Sequence, residues 1–167
     1  MSKTAKSDLP GRVFVTSNVL DIEHEKTALT DDNHDVGGVC VFEGLVREFS
    51  GSASDSLTLE HYPGMTEKML RKIEAEANDR WPLEASLIVH RYGRLEPGDQ
   101  IVLVATASPH RQAAFDACAF LIDWLKTKAP FWKLEDTQNE GTRWVEAKDT
   151  DYRAAERWEQ TDGDAAE

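Results

Sequence analysis

Three lysines, Lys126, Lys128 and Lys133, fall within the eleven residues LKTKAPFWKLE (125–135), around Pro130 and the aromatic pair Phe131–Trp132. A lysine that is partly desolvated and close to other cations has a lowered pKa, and it can then act as acid, base or nucleophile near neutral pH. Lys133, inside the aromatic run, has that setting. Lys126 and Lys128 close a helical pattern, where cations complement the C-terminal end of the helix dipole, and that structural role alone accounts for Lys128. A second constellation is Ser108-Pro109-His110-Arg111. Cations in the first turn of a helix are mildly unfavourable, unless an anion docks there on backbone N–H groups and both side chains. The alternative is a pair of solvated surface residues. A third is Arg47, which ends FEGLVRE beside a Gly/Ser-rich stretch. It can set a guanidinium at the rim of a pocket, or form an ordinary ion pair with Glu43 or Glu48. His90, in VHRYGRL, reads as a structural histidine within a strand.

Other chemistries lack their residues. There is no HExxH, no CxxC and no second histidine at metal spacing, so no metal is expected, and no cofactor. GxGxxG, a P-loop and GxSxG are also missing. Thirty-one acids against nineteen Lys plus Arg make the net charge -12, which argues against a nucleic-acid partner. An anionic ligand therefore needs a local basic cluster.

The elements that must position these groups follow from periodicity and breakers. With 167 residues, 40% of them hydrophobic, the chain suits one soluble domain, 1–167, with a core over about 13–158 and an acidic tail, 159–167, that should fray. No run is long and apolar enough for a membrane span, and MSKTAKSDLPGRVFV has no apolar h-region. Cys40 and Cys118 sit in apolar contexts and read as core residues of a reducing cytosol. Strands are expected at 11–17, 38–48, 57–62, 85–93 and 100–107, the last two forming a hairpin through LEPGD (95–99). FWKLEDT and RWVEAKD are two more, around a turn at Asn139–Gly141. Helices are expected at 20–30, at 65–81 on a Met65, Met69, Ile73, Ala77 stripe, and near 109–128. Ser108 is the expected cap of that long helix, Pro109 its first residue, and Ala114, Cys118, Leu121 and Leu125 its stripe. A last helix lies within DTDYRAAERWEQ, and FSGSASDS (49–56) reads as a mobile loop. Without a regular βαβ rhythm, the fold class is α+β.

Geometry adds a constraint. His110 and Lys126 are sixteen residues apart, about 24 Å along a straight helix. If both serve one small ligand, the simplest arrangement is a homodimer whose site combines the two ends from two subunits.

FEGLVRE, LTLEHYPGM, HRYGRLEPGD, ASPHRQAAFDA and LKTKAPFWKLE…RWVEA occur together and in order. In this the chain, from about Val13 to Trp158, resembles the large, catalytic subunit of molybdopterin synthase. The resemblance implies an α/β-hammerhead-type fold. It also implies a sulfurtransferase that converts cyclic pyranopterin monophosphate to the dithiolene of molybdopterin. Sulfur comes from the C-terminal Gly-Gly thiocarboxylate of a small ubiquitin-like subunit, within a heterotetramer built on a homodimer in the cytoplasm. By motif it makes Lys126 and Lys133 the catalytic pair, and Arg47, His110, Arg111, Glu135 and Arg143 the substrate-binding residues. Phe131 and Trp132 are expected to wall the pocket against water. Lys126 is placed nearest the reacting carbon and sulfur, with Lys133 lowering its pKa. The departure is the acidic C-terminal end, seven acids against two arginines from Asp149 onward. The alternative is a non-catalytic homodimeric scaffold that docks a ubiquitin-like protein. An unrelated phosphate-ester enzyme on the same basic cluster is a further one.

Overall fold

A computed structural model describes residues 12–159 apart from 53 and 139. Of the expected tail only Glu159 is described, and Asn139 of the expected turn also lies outside the described residues. The chain runs β1 (Arg12–Thr16), α1 (Ile22–Thr30), β2 (Gly38–Leu45), β3 (Ser56–His61), α2 (Met65–Arg80), β4 (Ala85–Arg91), β5 (Gly93–Leu95), β6 (Gln100–Ser108), α3 (Arg111–Lys128), β7 (Phe131–Thr137), β8 (Gly141–Val145) and α4 (Asp149–Glu156). This is an α+β fold on two four-stranded sheets, ordered β1-β4-β6-β2 and β5-β3-β7-β8.

In the first sheet, β1 pairs with β4 in parallel and the other pairings are antiparallel. Alternation along β4 and β6 divides their side chains between two cores. Ile88 and Val104 face α2 and α3, where they meet Leu70, Ile73, Phe120 and Leu121. Leu87, Leu103 and Ala105 face the opposite side and meet Leu29 of α1. In the second sheet, Leu57, Leu59 and Leu95 form a smaller core with Val46.

The elements depart from expectation in instructive ways. The α2 stripe is Thr66, Leu70, Ile73 and Ala77, while Met65 is half exposed. A strict spacing of four advances by about 40° per step, so a stripe begun at Met65 drifts off the core. The hairpin of β4 with β6 forms, Ala85 facing Ala107 and His90 facing Val102. Its connection makes a detour: Gly93, at φ 94°, lets the chain turn out of the first sheet so that β5 pairs with β3 in the second. Ser108 ends β6 and does not cap α3. Its hydroxyl donates to the Pro82 carbonyl at 2.9 Å, and the helix begins after His110, with no side-chain cap. Pro109 thus precedes the helix. Gly37 lies against this corner so closely that a Cβ there would come within 2.1 Å of the Pro109 carbonyl oxygen.

The stretch expected as a mobile loop, of which residue 53 lies outside the described residues, has its two ends joined by hydrogen bonds. The buried Asp55 carboxylate accepts the Phe49 and Ser50 N–H groups at 3.0 and 2.7 Å, and the Ser50 hydroxyl. Burial pushes its pKa up, but these donors outweigh that and hold it below the ordinary aspartate value. No helix among the described residues is long and apolar enough to cross a membrane.

Candidate active site

Helix α3 runs antiparallel to β6, so its C-terminal end meets the end of β4 and the start of β6. Pro130, which lacks a backbone N–H and restricts the residue before it, ends the helix and turns the chain into β7. The second sheet then closes over that end. A cavity of about 740 Å³ lies at the junction. Its walls come from the end of β2 and the loop after it, His90 of β4, the last turns of α3, the inner face of β7 and the segment 145–151.

Four of the expected site residues line it: Arg47, Lys126, Lys133 and Glu135. The period of two along β7 sends Phe131, Lys133 and Glu135 inward. It sends Trp132 outward, where it is 49% exposed. The apolar wall is therefore Phe131 with Phe42, Phe49 and Leu125, and Trp132 has no part in it. Arg47 stands at the rim, and among the described residues it pairs with neither Glu43 nor Glu48.

Lys133 is pushed below the ordinary lysine pKa, first by burial and next by the charge of Lys126, with Asp151 and Glu135 opposing. The influence runs from Lys126 to Lys133, the more buried of the two, the reverse of the direction expected from the resemblance. Lys126 places its ammonium 3.5 Å from Asp151. Lys128 turns away, its ammonium 3.4 Å from the centroid of the Trp124 ring, which agrees with a structural role at the helix end.

Beneath Phe131 lies His90, its ring stacked at 3.8 Å between centroids. Its Nδ1 sits 2.9 Å from the Arg91 carbonyl, which can only accept, so Nδ1 carries the proton. Burial, with smaller contributions from Lys133 and His61, pushes its pKa down to about 4 against the opposing Arg91 hydrogen bond. His90 is therefore neutral, a structural histidine as expected, but one that also lines the cavity.

Three expected site residues lie elsewhere in the chain. Arg143 is on β8, 68% exposed, with its guanidinium 2.6 Å from Glu135; it holds that carboxylate from outside the cavity. His110 and Arg111 are exposed at the N-terminal end of α3, about 24 Å from Lys126. Within one chain they do not meet the lysines.

Lys148 and Asp151 line the cavity and were not anticipated. Extending the last strand to Asp149 hid Lys148; Asp151 falls within the expected last helix, and no local pattern marks that helix start as a cavity wall. β8 stops at Val145, and α4 starts at Asp149 with Asp149 and Asp151 in its first turn. Acids clustered there are a helix-start signal, in line with the last helix expected within DTDYRAAERWEQ, while the alternating pattern of RWVEAKD places Lys148 in the strand. The far end of α4 is anchored to α3. Asp123 accepts the Arg157 guanidinium at 2.7 Å and the Trp158 indole N–H at 2.8 Å. Arg80 donates to the Trp158 carbonyl at 2.7 Å.

Over an apolar floor the cavity sets four cations (Arg47, Lys126, Lys133 and Lys148), one of them a lysine with a lowered pKa, beside four carboxylates (Glu43, Glu135, Glu146 and Asp151), so an anion or reactive acyl group would be met by individual cations. Among the described residues, no group of three or more His, Cys, Asp or Glu is placed to hold a metal ion. Cys40 and Cys118 are free thiols between β2 and α3, remote from this chemistry.

Comparison with known proteins agrees with this geometry. A family model described as MoaE protein matches residues 15–128. A Pseudomonas aeruginosa protein named molybdopterin synthase catalytic subunit is 56% identical over 149 residues, covering 89% of this chain and 99% of that one. One of the same name from Mesorhizobium japonicum is 52% identical over 140 residues, covering 83% and 87%. The MoaE structure from Burkholderia ambifaria superposes with a TM-score of 0.77 at 47% identity, over 90% of this chain and 99% of that one. The crystal structure of molybdopterin synthase from Staphylococcus aureus gives 0.71 at 34%, over 78% and 94%.

Proposed function

Because the chain belongs to the MoaE protein family, we propose the reaction its cavity performs: it is the catalytic subunit of a molybdopterin synthase, an enzyme of molybdenum cofactor biosynthesis. It converts cyclic pyranopterin monophosphate to molybdopterin, taking sulfur from the C-terminal thiocarboxylate of a small ubiquitin-like subunit. The observation that carries this is the meeting of Lys126, Lys133 and Arg47 on one half-apolar cavity.

Each residue has a role that its position supports. Lys126, at the more open side, meets the incoming thiocarboxylate, whose sulfur bonds to the pterin side chain to give a thioester; when one water then attacks that carbonyl carbon, Lys126 stabilises the oxyanion, and the acyl C–S bond breaks to leave sulfur on the pterin and a carboxylate on the partner. Lys133, with its lowered pKa, exchanges the proton. Arg47 at the rim takes the substrate phosphate. Glu135, held by Arg143, fixes the field around Lys133. The floor of Phe131 and His90 limits access of water, which would hydrolyse the thiocarboxylate without product. His110 and Arg111 join the site from a second copy of the chain, so that the enzyme is a homodimer carrying two small subunits. One domain spans about 13–158. A cytoplasmic location suits the two unpaired thiols.

The test is reconstitution with a thiocarboxylated partner and cyclic pyranopterin monophosphate, quantifying dithiolene product. Lys126→Ala is expected to bind the partner and to lose about 10²–10⁴-fold in turnover. Unchanged turnover would remove Lys126 from the chemistry. No product from the wild type, despite tight partner binding, would leave a docking scaffold in place of an enzyme.

A further inference from the structure

Four carboxylates line the cavity: Glu43, Glu135, Glu146 and Asp151. Glu135 is engaged by Arg143 from outside. Asp151 alone among them pairs with a cavity lysine, its Oδ1 lying 3.5 Å from Lys126 Nζ. Its Oδ2 accepts the Lys148 N–H at 3.3 Å, the capping contact that starts α4. One carboxylate thus begins the helix and faces the reactive lysines, and its side chain is only 22% exposed. The anchoring of α4 through Asp123 and Trp158 keeps that first turn in place.

We propose that Asp151 is a positioning residue of this site: fixed by the first turn of α4, its carboxylate holds the Lys126 ammonium beside Lys133 and balances the charge of the lysine pair. The proposal rests on the catalytic reading of the two lysines. It gives α4 a part in the reaction, since moving this helix would change the field at both ammonium groups. Lys133 is also faced by His90 from β4, Glu135 on its own strand and Lys148 ahead of α4, and Arg47 lines the same cavity. Asp151 and Glu135 are the two groups that favour its charged form.

The experiment is Asp151→Asn in the full chain, which keeps an acceptor for the helix cap and removes the charge. Lys133 is titrated by NMR on lysine carrying ¹³C at Cε, with its signal assigned through Lys133→Arg. The midpoint is expected to fall in Asp151→Asn and to stay in place in Asp149→Asn, which changes a carboxylate of the same turn outside the cavity. In the reconstituted assay the Lys133 limb of the pH–rate profile is expected to move down with it. A folded Asp151→Asn protein with an unmoved Lys133 midpoint would overturn the proposal. Should Asn prevent folding, Asp151→Ser keeps a short cap acceptor and is read the same way. The titration needs no turnover. A wild type that makes no product refutes the functional reading, while the titration still decides the place of Asp151.

Discussion

A histidine buried under the strand that carries Lys133 raises the question of its charge. His90 is stacked on Phe131 with Nδ1 committed to a carbonyl, and its pKa lies near 4 against an ordinary 6.5. The folded protein therefore binds fewer protons than the unfolded chain between those values. Stability rises with pH across that window and is lost as pH falls through it, by up to about 3 kcal/mol from this residue. His90→Asn keeps a donor toward the Arg91 carbonyl but does not titrate. Unfolding free energies measured from pH 4 to 7 are expected to show a shallower slope in the variant; an identical slope would mean that other groups govern the acid limb. Lys133 obeys the same rule in the opposite setting. Its burial disfavours the charged form, so it works against folding near neutrality, a cost commonly found where activity needs a strained site.

At the scale of elements, the site depends on two helix ends. The C-terminal end of α3 carries Lys126, and the first turn of α4 carries Asp151. Asp123 joins the two helices by accepting from Arg157 and Trp158, and the Trp158 ring packs edge-on against Trp81 and Phe120. Asp123→Ala leaves the indole N–H without its acceptor, at a cost of about 1–3 kcal/mol. It is expected to loosen α4 ahead of the rest of the fold. Limited proteolysis should cut first near Arg153 and Arg157, and turnover should fall although Asp123 does not line the cavity. Cleavage no faster than in the wild type would show that α4 is held by its apolar contacts alone.

For the whole molecule, the decisive fact is distance. His110 and Arg111 stand about 24 Å from Lys126, too far to share one small ligand within a chain. If a second copy supplies them, Lys126→Ala and Arg111→Ala, each inactive alone, repair one another when mixed. Random exchange makes half of the dimers mixed, each with one intact site of two, so about a quarter of wild-type turnover is expected to return. No recovery after verified subunit exchange would place the complete site within a single chain. The overall charge of -12 leaves anion binding to direct contacts: the cavity gathers four cations beside four carboxylates, so its lining is formally neutral, and an anion there must meet individual cations such as Arg47 and Lys126.

Much of this was legible without coordinates. The pairing of Lys126 with Lys133 came from the family motifs, whereas Pro130 had to end α3 and the stripe from Ala114 to Leu125 had to face a core. These are local consequences of helix period and proline geometry, and they were correctly anticipated. The motifs that run from FEGLVRE to RWVEA carried the family. Three features were decided only by tertiary structure. The alternation of β7 turned Trp132 out and Lys133 in, and which face is inner depends on the sheet that covers it. The early end of β8 freed Lys148 from the expected strand, and the packing of α4 brought it and Asp151, already expected in a helix, to the cavity. The opposition of Asp151 and Glu135 to burial and Lys126 at the Lys133 ammonium is a property of packed neighbours that no spacing along the chain specifies. Sequence determined which residue types were available and how each segment coils; the packing of two sheets against one helix end determined which of them share a cavity, because burial and electrostatic coupling depend on distance through space.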